Sequence, residues 1–383
     1  MLALEFRPTP AAYAAARISR RAGLGSLHYG ELDPPRLIGP EWVGVAPRLT
    51  GICGSDHALL DGRASLYLSS LTSTPFVPGH EVVGQVVGGD WRGQRVVVEP
   101  ALGCEARGVD PQCVECDSGR HALCREVIAG DVSAGLQIGF CRQTGGGWSE
   151  SLVAHRSQLH LVPEGIRDED AVLTEPLACS MHAIGRAELE GDETVAVIGV
   201  GAIGLLSIVA LRERHPRATI VAVAKHRGQE QEARRMGADE VYAPDELHLR
   251  GGRLTGARRL VGHGGRELLL GGFDAVFDCV ATGQSLESAV TATRPRGIVI
   301  LVGMPGQIDV DLSMAWQREI DIRGAYGYAD EFPAALELAG RLELGRLVAQ
   351  GWPLHEYRRA LESSRTATRA GHVKTVFDLT DVR

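Results

Sequence analysis

The sequence Thr194-Val-Ala-Val-Ile-Gly-Val-Gly-Ala-Ile-Gly204 decides the fold of the second half of this chain. Its first five residues are an apolar run typical of a buried strand, and Leu205–Arg214 continues with a helical pattern. A glycine loop between a strand and a helix lets backbone N–H groups approach a pyrophosphate at the helix N-terminus. The alternative is a glycine-rich turn without a ligand. We predict a dinucleotide site formed by Gly199, Gly201, Ala202, Ile203 and Gly204.

The same alternation of strands and helices continues after this loop. Apolar runs with the length of strands, and one further helical pattern at Gln229–Met236, follow in turn; the runs are Thr219–Val223, Phe273–Phe277 and Gly297–Val302. Such alternation predicts an α/β fold with a doubly wound parallel Rossmann sheet. The stretch 245–272 is rich in Gly and Arg and favours no element.

The residues after the second strand bear on the choice of cofactor. A sheet that binds NAD normally carries Asp or Glu about 20 residues beyond the glycine loop, where it accepts hydrogen bonds from the ribose. Here that position is Ala224, and Lys225, His226 and Arg227 follow. Three potential cations and no carboxylate favour a 2′-phosphate, so we predict NADP(H) rather than NAD(H). The alternative is a solvated basic turn.

The first part of the chain has a different character. Short apolar runs, for example at 81–87, 94–99 and 151–154, are separated by Gly and Pro. This pattern predicts an irregular, β-rich domain. We expect three segments: a β-rich catalytic domain at 1–185, the dinucleotide-binding domain at 186–316, and a return to the first domain at 317–383, with a strand at 373–379.

Length, charge and cysteine usage narrow the classes of function. A chain of 383 residues is long for a single core, which favours two domains. The net charge of −8 argues against nucleic-acid and membrane-surface partners, which favour basic patches. No apolar run approaches the ~20 residues of a membrane span, and the start lacks the pattern of a secretory signal. Eight cysteines in this length are no disulfide scaffold, so we expect a cytoplasmic protein.

Four of the cysteines lie close together, at Cys104, Cys113, Cys116 and Cys124. Four thiolates suit a closed tetrahedral zinc site that ties down a loop without a core of its own. The alternative is a set of buried free cysteines, but the residues between them are largely polar, which does not suit burial as hydrophobes. The spacing therefore indicates structural zinc.

Cys53, His80 and Glu175 could form a second, catalytic metal site. Catalytic zinc takes three N, S or O ligands and keeps one position open. These three residues are far apart in the chain, so spacing alone does not separate ligands from residues with structural roles.

Taken together, the motifs resemble the zinc-containing medium-chain alcohol dehydrogenases, and most closely their polyol and sugar dehydrogenase branch. The matching segments occur in the family's order over nearly the whole chain. They are Gly51-Ile-Cys-Gly-Ser-Asp56, Pro78-Gly-His-Glu-Val-Val-Gly84, the four-cysteine segment, Glu175-Pro-Leu-Ala178 with His182-Ala, Gly199–Gly204, Val302-Gly-Met-Pro305 and Gly371-His-Val-Lys-Thr-Val376. The resemblance implies a GroES-like catalytic domain beside the Rossmann domain, two zinc ions per chain, and a homo-oligomer, either dimer or tetramer.

The resemblance also implies roles for residues around the catalytic zinc. Cys53 and His80 match zinc ligands, and Glu175 matches the acidic third ligand or the acid that holds water on the metal. Glu81 matches a carboxylate that can approach the same metal. Ser55 matches the hydroxyl that begins a proton relay from the zinc-bound alcohol.

On the cofactor side, Val302 and Met304 match backbone positions beside the nicotinamide, and Lys374 matches a basic residue that contacts pyrophosphate. The implied reaction is hydride transfer to or from the nicotinamide while zinc polarises a carbonyl or stabilises an alkoxide. The small-molecule substrate would be an alcohol, a polyol, a sugar or the corresponding carbonyl.

The chain departs from the family at two places. The family usually has two residues between the first and second cysteines of the four, whereas eight separate Cys104 from Cys113, so Glu105 or Asp110 could replace Cys104 as a ligand. The family's relay often ends in a histidine five residues after the first zinc ligand. Here that position is Ala58 and His57 precedes it, so His57 is either part of the relay or a surface histidine.

Two other functions compete with the dehydrogenase. One is a reductase of the same fold acting on an activated C=C or C=N bond. The other is a non-catalytic, NADPH-binding regulatory protein. Retention of Cys53, His80 and Glu175 together speaks against the second, because a binding protein needs no open metal site.

Overall fold

A computed structural model describes residues 1–19, 24–349, 351–367 and 372–380 of the chain. The chain folds into two compact units. The first contains Met1–Ala178, Tyr328–Ala367 and the described residues from His372 onward, and the second contains Cys179–Gly327. Within the described ranges, no helix has the length and apolar character needed to cross a membrane.

The first unit consists mainly of short strands. They are β1 (Leu2–Phe6), β2 (Leu27–Glu31), β3 (Trp42–Gly51), β4 (Val82–Val86), β5 (Arg95–Val98), β6 (Leu152–His155) and β7 (Leu159–Leu161). The helices of this part are α1 (Pro10–Ile18), α2 (Gly54–Leu60), α3 (Cys104–Arg107), α4 (Val114–Asp117), α5 (Asp168–Ala171) and α6 (Thr174–Arg186), the last of which continues into the second unit.

The second unit alternates strands and helices. Its elements are β8 (Thr194–Ile198), α7 (Ala202–Arg214), β9 (Thr219–Val223), α8 (Arg227–Arg235), β10 (Glu240–Tyr242), α9 (Leu247–Thr255), β11 (Arg258–Val261), β12 (Glu267–Leu270), β13 (Phe273–Asp278), α10 (Gly283–Ala292), β14 (Thr293–Leu301), α11 (Ser313–Gln317) and β15 (Asp321–Gly324). The chain then returns to the first unit with α12 (Phe332–Arg341), α13 (Tyr357–Thr366) and β16 (Val376–Asp378).

The main sheet of the first unit positions the residues of a candidate site. Its strands follow the order β16-β3-β4-β5-β7, all antiparallel, and β6 also pairs with β3. Thr50 near the end of β3 pairs with Val82 on one side and with Phe377 on the other. The residues just beyond β3, just before β4 and just before β16 therefore meet at one end of the sheet.

The second unit contains the predicted doubly wound sheet, which is confirmed. Six parallel strands follow the order β10-β9-β8-β13-β14-β15. The central strand β8 is apolar and buried after its first residue, as the run at 194–198 predicts. The direction of winding changes between β8 and β13, and ligands of such sheets bind at the carboxyl ends of the strands near this point.

The stretch 245–272, which favoured no element, forms α9 and a hairpin of β11 and β12. The hairpin is antiparallel, with Arg258 opposite Leu270 and Val261 opposite Glu267. All four residues of β11 are exposed. A strand without a buried face has no need of alternating apolar residues, so the pattern carries no periodic signal.

The boundaries between the units differ from those predicted at 185/186 and 316/317. The structure places them at 178/179 and 327/328. The single helix α6 runs through the first boundary, and β15 adds to the edge of the parallel sheet beyond the second. The predicted strand at 373–379 is shorter, at Val376–Asp378, and residues 368–371 and 381–383 of the predicted third segment lie outside the described residues.

Candidate active site and metal centres

Three side chains with metal-binding groups meet at the end of the β3–β4 sheet. The Gly51 N–H donates to the Glu81 carbonyl oxygen at 2.9 Å, which brings the start of α2 beside the loop that enters β4. The ligand atoms of Cys53, His80 and Glu81 all lie within 4.8 Å of one another. One thiol, one imidazole and one carboxylate form a donor set of the kind that catalytic zinc uses.

Asp56, in the first turn of α2, supports this group. Its Oδ2 accepts the Cys53 N–H at 2.8 Å, and its Oδ1 lies 3.8 Å from His80 Nδ1. A carboxylate behind a histidine ligand fixes the orientation of the ring and raises its basicity. Asp56 Oδ1, His80 Nδ1, Thr50 Oγ1 and Thr375 Oγ1 are buried without hydrogen-bond partners in the described part of the chain. Such orphaned atoms around a mixed donor set fit a site built to hold a metal ion.

The structure brings Glu81, rather than Glu175, into the group of ligand atoms. Glu81 follows His80 directly where the chain enters β4, whereas Glu175 lies on α6. Burial lowers the pKa of His80, but Asp56, Cys53 and Glu175 raise it, and the pKa lies well above its usual value. Glu175 is near enough to raise the pKa of His80, and its predicted role, as the third ligand or as the acid that holds water on the metal, stays a prediction.

Lys374 is part of this site and not a free cation for the cofactor. Its Nζ lies 2.6 Å from Glu81 Oε1 and 2.5 Å from Oε2, with 2% of the lysine and none of the glutamate exposed. A Cβ at Gly51 would lie 1.8 Å from Glu81 Oε2, so the missing side chain of Gly51 makes room for the carboxylate. The predicted contact between Lys374 and pyrophosphate is therefore corrected: the ammonium compensates a buried carboxylate.

His57 makes a contact that the sequence did not predict, and its place in a proton relay stays a prediction. Its Nε2 lies 2.7 Å from Ser364 Oγ on α13, and no hydrogen bond joins it to Ser55 among the described residues. Burial and the neighbouring Arg365 lower the pKa of His57 to about 4, so the ring is neutral near pH 7. His57 joins α2 to α13, while Ser55 stays half-buried in the first turn of α2.

The four clustered cysteines converge as predicted from their spacing. The sulfur atoms of Cys104, Cys113, Cys116 and Cys124 lie within 4.8 Å of one another, and Glu105 and Asp110 are not members of the group. Each sulfur accepts one backbone N–H, at 3.3 to 3.4 Å; the donors are Cys104, Cys113, Arg125 and Glu126. These donors favour the thiolate, which is the form that binds zinc.

The thiols differ in how readily they ionise. Burial raises the pKa of Cys113, but N–H groups from Arg125 and Cys116 lower it to about 6. Burial raises the pKa of Cys124 to about 11, and that of Cys116 rises further above its usual value. Close, buried thiols resist ionising together, and a bound divalent cation removes that resistance, so the four fit a closed zinc site.

In the second unit, the glycine loop lies between β8 and α7 as predicted. A Cβ at Gly204 would lie 2.0 Å from the Gly199 carbonyl oxygen, and one at Gly199, where φ is +86°, would lie 2.2 Å from Val280 Cγ2. A Cβ at Gly201 would meet no atom within 4 Å. Gly199 and Gly204 therefore permit the tight turn, and Gly201 leaves open space at the N-terminus of α7. Ala202 and Ile203 are the first residues of that helix.

The basic residues after β9 lie at the same edge of the sheet. Ala224 is buried, while Lys225 and Arg227 are exposed and His226 caps α8. The Gly199 N–H donates to the carbonyl oxygen of Val223, which joins the end of β9 to the glycine loop. The two exposed cations therefore follow the strand end that contacts this loop.

The sequence interpretation missed a buried carboxylate in this unit. Asp278 at the end of β13 is fully buried, and its carbonyl oxygen accepts the N–H groups of Val302 and Gly303 at 3.0 Å. Its Oδ1 accepts the N–H groups of Val280 and Ala281. Asp278 thus fixes the backbone around Val302, and Met304 follows with 39% of its surface exposed. An acidic residue at the carboxyl end of an apolar strand was the signal for it.

Asp56 was missed for a different reason. It lies three residues after Cys53, the spacing of an acidic residue that accepts the backbone N–H at a helix start. That signal was present in the sequence. Its approach to His80 depends on the packing of two distant segments.

Comparison with known proteins adds independent evidence. Residues 39–164 match the family model "Alcohol dehydrogenase GroES-like domain", and residues 202–341 match "Zinc-binding dehydrogenase". The chain is 31% identical to a sorbitol dehydrogenase of Arabidopsis thaliana over 357 residues, which cover 89% of this chain and 90% of that protein. It is 28% identical to an L-idonate 5-dehydrogenase of Vitis vinifera over 358 residues, with 89% of each chain covered.

Solved structures share the fold. The 2R,3R-butanediol dehydrogenase of Bacillus subtilis superimposes with a TM-score of 0.74 at 22% identity, covering 98% of this chain and 99% of that one. Acetophenone reductase from Geotrichum candidum, solved with NAD, has a TM-score of 0.74 at 20% identity, with 99% and 98% covered. At such identities these structures show the fold alone.

The two glycines 201 and 204 should respond differently to substitution. Gly204→Ala places a Cβ against a backbone oxygen, so we expect a loss of about 1–3 kcal/mol in the free energy of unfolding. Gly201→Ala meets no atom, so stability should stay unchanged while the affinity for the nicotinamide cofactor falls, because this glycine lets the backbone approach pyrophosphate. Thermal unfolding and titration with NADH and NADPH measure both, and equal melting temperatures of the two variants would contradict the geometry.

Lys374→Met should leave Glu81 buried without compensation. We expect a loss of about 3–5 kcal/mol in the free energy of unfolding, measured with urea in the presence of a chelator so that no metal takes over the compensation. The double variant Lys374→Met/Glu81→Gln should recover most of this loss. Lys225→Met, which alters the chain's other lysine, is the matched control and should have no effect. A single variant as stable as the control would refute the buried pair.

Proposed function

Because the chain belongs to the zinc-containing medium-chain alcohol dehydrogenase family, we propose that it transfers a hydride between NADP(H) and a polyol, sugar or other alcohol, or the matching carbonyl. Membership rests on the full-length relative at 31% identity and on the two family models. The relatives are named as polyol and sugar-acid dehydrogenases, which supports this substrate class here.

The observation that carries the proposal is the group formed by Cys53, His80 and Glu81, within 4.8 Å, in the first unit. A protein that only binds a nucleotide needs no such mixed donor set. When bound there, zinc acts as a Lewis acid that polarises a carbonyl or stabilises an alkoxide.

The chain's own residues have separate tasks in this mechanism. Cys53 and His80 would hold the metal, and Asp56 would orient His80 from behind. Glu81 would complete the donor set, and Lys374 keeps its carboxylate compensated while buried. Ser55, half-buried in the first turn of α2, would begin a proton relay: its hydroxyl would accept the proton of the alcohol as it passes its own proton to the next group of the relay. A bound nicotinamide would accept the hydride from the alcohol carbon, and the reverse reaction would run the same transfers backwards.

The preference for NADP(H) rests on the strand end after β9. Ala224 stands where an NAD-binding sheet carries a carboxylate, and Lys225 and Arg227 are exposed beside it. Two cations without an opposing carboxylate favour a 2′-phosphate through charge-assisted hydrogen bonds. A solvated basic turn is the competing interpretation.

We further infer two zinc ions per chain, a homo-oligomer and a reducing, cytoplasmic environment. The four-cysteine group supports the second zinc. All eight cysteines are free thiols, which supports a reducing compartment.

The catalytic zinc is tested by Cys53→Ala. We expect kcat to fall at least about a hundredfold, since Lewis-acid stabilisation is worth several kcal/mol, with zinc falling from about two to about one per chain. Zinc is counted by elemental analysis, and activity is followed by nicotinamide absorbance with alcohols, polyols, aldoses and carbonyls. Cys141→Ala, which removes a fully buried thiol outside both groups, is the control and should keep both zinc ions and activity. Near-normal turnover by zinc-depleted Cys53→Ala would exclude this mechanism and favour C=C or C=N reduction.

The cofactor preference is tested by the double variant Lys225→Ala/Arg227→Ala. Loss of two charge-assisted contacts should weaken NADPH by at least about tenfold and leave NADH nearly unchanged. Arg234→Ala/Arg235→Ala removes two charges from the other end of the same helix and should alter neither cofactor. A higher kcat/KM of the unaltered protein with NAD(H) than with NADP(H) would show that the preference is wrong.

A further inference from the structure

Arg107 is a fully buried arginine beside the four-cysteine group. It ends α3, the short helix that starts at Cys104, and none of its surface is exposed. Its guanidinium donates only to main-chain carbonyl oxygens: Nε to Leu102 at 2.9 Å, Nη1 to Ala129, Val132 and Ser133 at 3.1, 3.0 and 3.4 Å, and Nη2 to Gly135 at 2.5 Å. Every nitrogen of the group therefore has a partner.

These carbonyl groups flank the cysteine loop on both sides. Leu102 precedes Cys104, and residues 129–135 follow Cys124. The Asp131 N–H donates back to the Arg107 carbonyl oxygen at 2.9 Å, and a Cβ at Gly130 would lie 2.2 Å from that oxygen. Arg107 thus closes the base of the loop that holds the four thiols.

Within the described residues, every hydrogen bond of the Arg107 guanidinium goes to a main-chain carbonyl oxygen, so its charge has no carboxylate as a partner. A buried charge is costly unless an opposite charge compensates it. The thiols supply that charge, because four thiolates outweigh the two positive charges of a divalent metal and leave the site negative. Burial lowers the pKa of Arg107, whereas Cys141, which lies outside the four-cysteine group, and Cys124, Cys104 and Cys116 within it raise that pKa.

We propose that Arg107 is a positioning residue of the four-cysteine metal site, which holds the two flanks of the loop together and balances the negative charge of the metal-bound thiolates. The proposal rests on the proposed zinc binding at this loop. It also accounts for the long spacing between Cys104 and Cys113: the added residues include Arg107 and the turn at Gly108, whose φ is +66°.

The test uses the full-length protein loaded with Co²⁺, whose absorption when bound by four sulfur atoms reports this site separately from the mixed-donor site. Dissociation into a chelator is followed for the unaltered protein, Arg107→Gln, Arg107→Lys and Arg318→Gln. Arg318 is the matched control: it is also buried and donates to carbonyl oxygens, at Gly271 and Thr291, but lies in the second unit.

We expect Arg107→Gln to lose cobalt at least about tenfold faster, the usual effect of removing a partner behind the ligands of a metal site. Arg107→Lys keeps the charge but cannot reach five carbonyl oxygens, so it should lose cobalt faster than the unaltered protein and more slowly than Arg107→Gln. Arg318→Gln should stay within about threefold of the unaltered protein. Equal rates for Arg107→Gln and the unaltered protein would overturn the proposal. If Arg107→Gln does not fold, Arg107→Lys decides: a tenfold loss there overturns the charge balance, and near-normal retention supports it.

The same cobalt spectra show separately whether the four-cysteine loop binds metal at all. If the unaltered protein shows no four-sulfur cobalt absorption, the loop binds no metal, and both the second zinc and the role of Arg107 are wrong. If the absorption is present and only the variants fail to differ, the zinc site stands and the inference on Arg107 alone is lost.

Discussion

The candidate active site depends on one buried ion pair, between Glu81 and Lys374. The two residues are 293 positions apart in the chain, and both are almost completely removed from solvent. A lone carboxylate or ammonium in this place would be strongly destabilising, so each requires the other. Pairing of β16 with β3 brings Lys374 to the site, and the bare backbone of Gly51 leaves room for the carboxylate. The end of the chain is thus a structural part of a site whose candidate metal ligands, Cys53, His80 and Glu81, come from the first hundred positions.

The two groups of metal-binding side chains are built on opposite principles. The Cys53, His80 and Glu81 group has mixed donors and buried polar atoms without partners, which suits a metal that keeps a position for substrate. In the four-cysteine group every sulfur accepts a backbone N–H, and three of the cysteines are buried while Cys113 is half-buried. Arg107 provides the base of this loop. The first arrangement suits chemistry, and the second suits stability of a segment with little core of its own.

The glycines of the loop between β8 and α7 have two different roles. Close contacts within the protein require glycine at positions 199 and 204. A Cβ at Gly199 would lie 2.2 Å from Val280 Cγ2, and one at Gly204 would lie 2.0 Å from the Gly199 carbonyl oxygen, both far inside van der Waals contact. Gly201 has no such contact and leaves space for a ligand. The buried Asp278 then fixes the neighbouring strand ends around Val302. The backbone geometry of this loop therefore suits a dinucleotide, and the exposed Lys225 and Arg227 carry the proposed preference for a 2′-phosphate.

The sequence pattern was sufficient to predict a residue's structural role wherever that role depends on residues nearby in the chain. The runs at 194–198 and 219–223 are strands with the predicted bounds, since a central parallel strand is apolar along its whole length. The glycine loop and the four thiols were also predictable, because each motif closes on itself within about 20 residues. Only the tertiary structure decided the place of Glu81 beside Cys53 and His80, the pairing of Lys374 and the contact of His57 with Ser364. Each of these depends on segments that meet through the pairing of distant strands and helices, and periodicity along the chain carries no information about which distant charge a buried side chain will face.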